Sequence, residues 1–317
     1  MNIAIVGGAG FLGKNLAQML YQQQNNKITV VDANVSFWKY MSVPECENIQ
    51  FCSQAFGSDS DYKVLLKEKD IVYHLASTSF PAISNLNIKK EIEENILGTI
   101  RLLEDCITCG VKKVVFFSSG GTVYGKNGQC PLAENAATDP ITAYGVQKLT
   151  IEKLLSLYRR IYGLQFKVVR LANPFGPYQR PNGKLGVITT FIYRALNGEE
   201  ITVYGDGSVV RDYIYVDDAI RAVIRIANDE NSAQDIYNVG SGYGTSVQEL
   251  LTLIQNTLQI QLRVSYQQAR AIDVPINYLD VSRYEDEYGP LIQVGLAEGI
   301  QKTALYLQRN GISSNLC

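Results

Sequence analysis

The chain has 317 residues, of which 46% are apolar and 19% charged, and its formal net charge is -2. This length is enough for one large or two modest domains with a sizeable core. There is no basic excess to bind the phosphates of a nucleic acid, and no apolar run reaches the roughly 18 residues that span a bilayer. The start, Met-Asn-Ile-Ala-Ile-Val, lacks the basic region of a signal peptide, so we expect a cytoplasmic protein without nucleic-acid or membrane partners.

Short apolar runs alternate with longer helical patterns through the first half of the chain. This alternation predicts βαβ units, and therefore an α/β fold with a Rossmann-type, doubly wound parallel sheet. A segment rich in Pro and Gly, 173–186, predicts a crossing into a smaller C-terminal substrate lobe. We predict a sheet domain over 1–175 with a return segment near 212–240, and the lobe over 176–211 and 241–317. The predicted strands are Asn2–Val6, Ile28–Val31, Asn48–Phe51, Ile71–Leu75, Val114–Phe117 and Phe166–Arg170.

The first predicted strand runs directly into a glycine-rich turn, 7–13, which opens a helix. Gly7 permits the tight turn, Gly10 lets the backbone approach a pyrophosphate, and Gly13 allows the helix to pack closely on the strand. The helix N-terminus offers free N–H groups and the positive end of its dipole to phosphates. The turn therefore predicts a dinucleotide site, the alternative being a purely structural turn.

Asp32 lies at the end of the second predicted strand. A carboxylate there can accept hydrogen bonds from both hydroxyls of the adenosine ribose, and it repels a 2′-phosphate. The cofactor expected is therefore NAD(H) rather than NADP(H). The alternative is that Asp32 only caps the turn.

The single histidine, His74, excludes a multi-histidine metal site, and no metal is expected. It lies in the apolar run 71–76, which reads as a buried strand and favours a packing role. The six cysteines do not form a disulfide framework in a chain of this length. Cys106 and Cys109 form a C-x-x-C without a second pair, which favours a structural role over zinc or redox chemistry.

Two segments have apolar residues at helical spacing. They look too apolar for helices that each cover the sheet on one side and face solvent on the other. The alternative is that these apolar stripes only cover the sheet. The stripes are Ile88, Ile92, Ile96, Ile100, Leu103 and Ile107 in the first segment, and Ile151, Leu154, Leu155 and Tyr158 in the second.

Tyr144-Gly-Val-Gln-Lys148 is a Y-x-x-x-K, a spacing that arises by chance in a chain with 20 tyrosines. Its context carries more information, because it follows the predicted strand Val114–Phe117 and the turn 118–122 at the edge where open α/β folds bind ligands. At i and i+4 the two side chains share a helix face. A lysine ammonium within reach would lower the pKa of the tyrosine, which could then remove a proton from an alcohol. The alternative is a surface contact.

Further motifs lie along the rest of the chain: HLAS at 74–77, Asn95, SSGGTVYG at 118–125, RLANPFGP at 170–177, GDGSVVRDYIYVDDA at 205–219 and YNVGSG at 237–242. Together with the glycine turn, Asp32 and the Y-x-x-x-K, they resemble the extended short-chain dehydrogenase/reductases, specifically the nucleotide-sugar epimerase/dehydratase group. The resemblance covers nearly the whole chain. It implies NAD as the cofactor and a nucleotide-diphosphate sugar as the substrate.

The same resemblance assigns roles to individual positions. Asn173 would bind the diphosphate and Val187 would lie near the base. Arg211 and Arg270 would hold phosphate, since a guanidinium donates two parallel charged hydrogen bonds, and Asp273 would hold the nucleotide ribose. The alternative for Arg211 is an ion pair with its neighbour Asp212. The implied substrate-binding set is Ser79, Thr122, Asn173, Val187, Arg211, Arg270 and Asp273. The cofactor-binding set is Gly7, Gly10, Phe11, Leu12, Gly13, Asp32, Leu75, Ala76, Ser77, Asn95, Tyr144 and Lys148.

Three positions depart from the family pattern. Gly120 stands where members usually carry Ser or Thr, so Ser119 or Thr122 would supply the catalytic hydroxyl, and we favour Thr122. Gly121 and Thr122 replace the Asp-Glu pair of the dehydratases, which disfavours elimination of water. An aspartate that often contacts adenine is absent from the segment 51–55.

The leading interpretation is a UDP-sugar 4-epimerase that works through a 4-keto intermediate. The alternative is a reductase of a dTDP-linked or other nucleotide-linked 4-keto-6-deoxy sugar for surface polysaccharide synthesis, and a third possibility is a non-catalytic NAD-binding protein. Family members pair two helices with two from a second subunit, so we also predict a homodimer through a helix bundle.

Overall fold

The computed structural model describes residues 1–23, 25–34, 41, 46–126, 129–181, 186–269 and 274–310. The strands are β1 Asn2–Val6, β2 Lys27–Asp32, β3 Ile49–Ser53, β4 Ile71–His74, β5 Lys113–Ser119, β6 Gln165–Leu171, β7 Asn173–Phe175, β8 Glu200–Tyr204, β9 Val210–Arg211, β10 Tyr213–Tyr215, β11 Ile236–Val239, β12 Thr245–Ser246, β13 Arg263–Gln267 and β14 Ile276–Asn277.

Helices follow most of these strands. None in the described ranges is long and apolar enough to cross a membrane. The α-helices are α1 Phe11–Gln22, α2 Lys63–Leu66, α3 Ile88–Glu91, α4 Gly98–Thr108, α5 Ala143–Tyr162, α6 Val187–Leu196, α7 Val216–Asn228, α8 Val247–Leu258, α9 Ser282–Tyr288 and α10 Leu296–Asn310, with a 3₁₀ turn at Ser84–Leu86 and a π-helical segment at Ile92–Leu97 that joins α3 to α4.

Seven parallel strands form the large sheet, in the order β3-β2-β1-β4-β5-β6-β11. Successive side chains of β1 enter opposite cores, with Ile3 and Ile5 on one face and Ala4 and Val6 on the other. Both faces are therefore covered, as parallel sheets require. The predicted doubly wound α/β fold is confirmed, and the predicted strands differ from the observed ones by one or two residues at their ends.

The order of the sheet reverses beside β1. The chain moves outward from β1 to β3 and then returns to place β4 on the other side of β1. Open α/β sheets bind ligands at the carboxyl ends of the strands at such a reversal. The glycine turn after β1 and the loop after β4 both lie there.

A third core lies outside the large sheet. It gathers residues of α6, α8 and α10 around the two-stranded sheet of β8 and β13, including Ile192, Ile201, Leu250 and Ile300. The chain returns to the large sheet through β11, and α9 then packs against β11, with Tyr284 in the first core. The C-terminal part of the chain thus contributes both to the third core and to the large sheet.

The first half of the predicted apolar stripe on the helix that begins at Ile88 is exposed, whereas Leu103 of its second half is buried in the second core. Ile88 and Ile92 are 57% and 46% exposed, whereas Glu91 and Asn95 are buried. The π-helical segment separates the two halves, because it adds residues to a turn and rotates the side chains that follow it relative to a regular 3.6-residue spacing. Sequence periodicity alone cannot detect this change of register.

The second predicted stripe has a different outcome. Ile151, Leu155 and Tyr158 of α5 are buried in the second core and Leu154 is partly buried, so this stripe covers the sheet. The apolar side chains that α5 leaves exposed are other ones, namely Val146, Leu157, Ile161 and Tyr162.

His74 is fully buried between the rings of Phe56 and Phe116, at centroid distances of 5.3 and 5.2 Å. Its Nε2 lies 2.9 Å from the Thr99 hydroxyl, and burial, together with the charge of Lys148, lowers its pKa to about 3. Cys106 is buried in the core and the Cys109 thiol donates to the Lys63 carbonyl. The described cysteines are free thiols, so the C-x-x-C has a structural position.

Candidate active site

The glycine turn joins β1 to α1 in a conformation that side chains would not permit. Gly7 has a φ of +81°, and a Cβ on it would lie 2.4 Å from the backbone N of Ala76. A Cβ on Gly13 would lie 2.3 Å from the Gly8 carbonyl oxygen. By contrast, nothing lies within 4 Å of the position that a Cβ on Gly10 would take. The turn is therefore packed on its inner side and open where a phosphate would approach.

A cavity of about 700 Å³ lies over this turn. Its described walls come from the glycine turn, the end of β2, the loop after β4 and the loop after β7. Seven residues that the sequence assigned to the cofactor line it, while Gly13 packs beneath the turn and Leu12 packs toward the first core. The lining residues from the predicted set are Gly7, Gly10, Phe11, Asp32, Leu75, Ala76 and Ser77, of which Gly7 and Gly10 belong to the turn itself.

Asp32 reaches the cavity at the end of β2. One carboxylate oxygen accepts a hydrogen bond from the backbone N–H of Ala9 at 2.9 Å, and the other accepts from the N–H of Asn34 at 2.9 Å. The carboxylate is thus held in place by two backbone donors, with lone pairs left for a ribose diol. Together with the open space at Gly10, this donor and acceptor set fits the adenosine half of NAD.

Asn95 is 2% exposed and faces the loop after β4. Its Oδ1 accepts from the N–H of Thr78 at 2.9 Å, and its Nδ2 donates to the Thr78 hydroxyl at 3.0 Å. Asn95 therefore fixes the loop that lines the cavity. Asn95 lies within the π-helical segment.

Helix α5 positions the Tyr144–Lys148 pair. The Thr142 side chain caps the helix by accepting from the N–H of Gly145 at 3.0 Å, which places Tyr144 in the first turn. The Lys148 ammonium donates to the Phe117 carbonyl at the end of β5 at 2.9 Å and lies 5.4 Å from the centre of the Tyr144 ring. Because β5 pairs with β4, this places Lys148 beside the strand whose following loop lines the cavity.

The charges around this pair differ from the sequence expectation. Desolvation, together with the negative charge of Glu91, raises the pKa of the half-buried Tyr144 to about 12. Burial lowers the pKa of Lys148 to about 8, against the opposing effect of Glu152. The expected lowering of the Tyr144 pKa by Lys148 is therefore wrong. The lysine is itself desolvated, and its proton is directed at a backbone carbonyl.

The turn after β5 explains why position 120 carries no hydroxyl. A Cβ on Gly120 would lie 2.6 Å from Cδ1 of Leu279 and 3.1 Å from the Arg170 carbonyl oxygen. At Gly121, by contrast, the nearest atom to such a Cβ would be Ser119 Oγ at 3.9 Å. Leu279 thus occupies the space that a serine at 120 would need. The hydroxyl of Thr122 is buried and has no hydrogen-bond partner among the described residues, so it has the capacity to bind a ligand.

The described residues that were assigned to the substrate come from several elements, and none of them lines the cavity over the glycine turn. The Ser79 hydroxyl donates to Glu91, the Asn173 side chain donates to the Asp212 carbonyl at 2.8 Å, and Val187 begins α6 beside the third core. Arg211 donates to the carbonyls of Val210 and Val274 at 2.8 and 2.6 Å. Arg270 and Asp273 lie outside the described residues.

Asp212 is fully buried and binds its own set of donors. Its carboxylate accepts from the N–H and hydroxyl of Ser241 at 2.6 and 2.7 Å, and from the N–H groups of Gly242 and Leu279. It thereby ties the segment 240–242 to the segment that packs on Gly120.

Several functional candidates escaped the sequence analysis. Glu91 is 7% exposed, accepts from Ser79 and Asn95, and acts electrostatically on Tyr144. A glutamate in a charged helical segment has no distinguishing sequence signal. Lys14 and Arg180 line the cavity. Lys14 directly follows the glycine turn, so its position beside a phosphate site could have been inferred.

Comparisons with known proteins agree with this geometry. A sequence profile described as the NAD dependent epimerase/dehydratase family matches residues 3–240. The UDP-glucose 4-epimerase of Mycolicibacterium smegmatis is 31% identical over 318 residues, covering 97% of this chain and 99% of that protein. The dTDP-4-dehydro-6-deoxyglucose reductase of Escherichia coli is 31% identical over 307 residues, covering 95% of each. The crystal structure of UDP-glucose 4-epimerase from Thermotoga maritima with UDP-glucose superposes with a TM-score of 0.88 at 34% identity, covering 98% of this chain and 99% of that one.

Proposed function

Because this chain belongs to the NAD-dependent epimerase/dehydratase family, we propose that it is a 4-epimerase of a UDP-hexose. The observation that carries the proposal is the Tyr144–Lys148 pair, in which the buried Lys148 is bound to the end of β5, beside the strand whose following loop lines the cavity with the glycine turn and Asp32. NAD bound in that cavity would supply a hydride acceptor for C4 of the sugar and, once reduced, a hydride donor to the opposite face.

The side chains of this protein have defined tasks in that reaction. Tyr144 takes the proton of the 4-hydroxyl and returns it after the 4-keto sugar has turned. Lys148 holds a positive charge against the phenolate, and its bond to Phe117 sets where that charge lies. The unpartnered Thr122 hydroxyl, with Ser119 as the alternative, orients the reacting oxygen in place of a serine at 120.

We propose the remaining contacts by family resemblance. Gly7, Gly10, Phe11, Gly13, Asp32, Leu75, Ala76 and Ser77 hold NAD, with Leu12 and Asn95 as their support. Ser79 contacts the sugar, and the UDP group is held by Asn173, Val187, Arg211, Arg270 and Asp273. The proposed division of labour places the cofactor in 1–175 with a return near 212–240, and the nucleotide sugar in 176–211 and 241–317.

A second candidate is reduction of a dTDP-linked 4-keto-6-deoxy sugar, favoured by the 31% identity to the E. coli reductase. The same side chains would serve it. The difference is that NADH would be exchanged in every turnover, whereas an epimerase regenerates its own NAD. Retention of both Tyr144 and Lys148 disfavours a non-catalytic NAD-binding role.

Two measurements on the purified protein separate these functions. Acid release of bound nucleotide reports whether NAD is retained, and proton NMR reports conversion of UDP-glucose to UDP-galactose without added cofactor. We expect retained NAD and conversion in both directions, with no conversion by Tyr144→Phe. An empty site together with NADH-dependent consumption of a dTDP-4-keto-6-deoxy sugar would replace the epimerase with the reductase.

We further propose that the protein is a homodimer. Ile88 and Ile92 are about half exposed, and α5 exposes Val146, Leu157 and Ile161. The two helical segments contact each other, since α3 and α5 are neighbours. An exposed apolar surface shared by two adjacent helices favours burial against a second copy.

A further inference from the structure

Two basic side chains line the cavity that is assigned to NAD, and the proposed mechanism uses neither. Lys14 lies in the first turn of α1, directly after Gly13, and is 7% exposed. Arg180 is exposed and comes from the loop that follows β7. Both line the same cavity as Gly10 and Asp32. They are 166 positions apart in the chain and only the fold brings them together.

The loop at 176–181 is held firmly against α1. The Tyr178 hydroxyl donates to Gln18 at 2.7 Å, and the Asn15 amide donates to the Pro177 carbonyl at 2.9 Å. Tyr178 has a φ of +68°, an unfavourable conformation for a bulky residue that surrounding contacts must maintain. The Lys14 ammonium lies 5.9 Å from the centre of the Tyr178 ring. The contacts that dock the loop therefore also fix Lys14 and carry Arg180 into the cavity wall.

Charge at this place favours an anion. Burial lowers the pKa of Lys14, the positive charge of Arg180 lowers it further, and Asp32 opposes both effects. Two cations that repel each other in a partly dry site are stabilised by a ligand that is negative. Among the described residues that line the cavity, Asp32 is the single acid, so one net positive charge remains. The dipole of α1 adds to it.

We propose that Lys14 and Arg180 form a two-cation clamp for the pyrophosphate of NAD. The glycine turn binds that group through backbone N–H groups, and the clamp adds charged side chains from α1 and from the loop at 176–181. Because the loop is docked on α1, the clamp slows release of the cofactor. This consequence for release rests on the proposed epimerase function, which needs a retained NAD, whereas the pyrophosphate contact rests on NAD binding alone.

The test is the affinity for NADH, measured by its fluorescence and by calorimetry, in Lys14→Met, Arg180→Met and the double variant. Lys67→Met is the matched control, because Lys67 is exposed and does not line the cavity. Loss of one charge-assisted hydrogen bond corresponds to roughly a 10-fold or greater loss of affinity. We expect that loss in each single variant and none in the control. Arg180→Lys should keep most of the affinity, since it keeps the charge.

Two further readouts identify the group that is bound. ADP and adenosine both compete with NADH for the adenosine site, but only ADP carries phosphates. The variants should therefore lose affinity for ADP and keep their affinity for adenosine. The affinity of the parent protein should also fall more steeply with NaCl than that of the double variant, because screening weakens charged contacts. Circular dichroism establishes that each variant is folded.

Three outcomes would overturn the clamp. Unchanged NADH affinity in folded variants would remove both residues from the site. Equal losses for adenosine and ADP would assign them to the nucleoside. A loss confined to NADP would assign them to a 2′-phosphate. Failure of the parent protein to convert any UDP-hexose, with NADH and ADP binding altered as expected, would instead reject the proposed function and leave the clamp intact.

Discussion

Tyr144 carries the chemistry at the scale of single residues. Tyr144→Phe removes one oxygen and leaves the ring, so the fold and NAD binding should be retained. Turnover should fall by about 10²–10⁴-fold, the usual contribution of a general base. The measurement is kcat on UDP-glucose, with circular dichroism and NADH binding as controls. Retention of more than about a tenth of parental kcat, far above that range, would show that Tyr144 is not the base.

Glu91 places a negative charge near this base. Its charge raises the pKa of Tyr144, and a reaction that needs the phenolate becomes faster as the pH rises through that pKa. Glu91→Gln removes the charge, so the tyrosine should lose its proton at lower pH. We expect the rising limb of the kcat–pH profile to move toward lower pH.

Ser79→Ala is the comparison for that profile. It removes the hydroxyl that donates to Glu91 but keeps the carboxylate charge. A purely structural role for Glu91 would lower kcat at every pH without moving the limb. A limb that stays in place, or moves to higher pH, in Glu91→Gln would contradict the electrostatic role.

At the scale of elements, a buried ion pair joins α5 to β6 under the active site. The Arg170 guanidinium donates to both oxygens of Glu152, with the shortest contact at 2.7 Å, and both side chains are nearly fully buried. Arg170 also donates to the Tyr124 hydroxyl at 3.0 Å, and Ser118 donates to Glu152 at 2.5 Å. Glu152 lies one helical turn after Lys148 and acts on its pKa. The network therefore fixes the helix that carries the catalytic pair.

Arg170→Met should destabilise the fold strongly, because it leaves the Glu152 carboxylate buried without its cation. Breaking a buried pair in this way costs about 3–5 kcal/mol. Arg159→Met is the matched control. Arg159 also lies on α5, and its salt bridge to Asp235, just before β11, is about a third exposed. Such a bridge contributes about 0–1 kcal/mol. Urea unfolding measures the loss of unfolding free energy in both variants. Equal losses would show that burial of the Arg170–Glu152 pair does not add to stability.

At the scale of the whole molecule, the exposed apolar side chains of α3, α5 and the π-helical segment predict association. We expect light scattering at micromolar concentration to report twice the mass of the 35.2 kDa chain. Leu157→Glu combined with Ile161→Glu should yield monomers, because two charges would enter the interface. Val64→Glu is the control, since Val64 is 87% exposed on α2, which is not one of the helices assigned to the interface. A parent protein that is monomeric would refute the dimer.

The sequence by itself determined the sheet, the glycine turn and the places of Asp32, Tyr144 and Lys148. These features depend on short-range causes: the spacing of apolar residues, the φ that Gly7 requires, and the one-turn separation of two residues on a helix. Each is complete within a few neighbouring positions. A pattern in one segment is therefore enough to predict them.

Only the tertiary structure decided which other groups surround the site. Leu279 fills the space beside Gly120, and Arg180 joins Lys14, because distant segments pack together. Glu91 is buried while its neighbour Ile92 is exposed, because the segments that pack against the helix decide which of its faces is covered. The pKa of Tyr144 is raised, against the sequence expectation, because desolvation depends on everything that packs around a side chain. Burial and long-range electrostatics arise from the whole packing arrangement, and no local pattern encodes them.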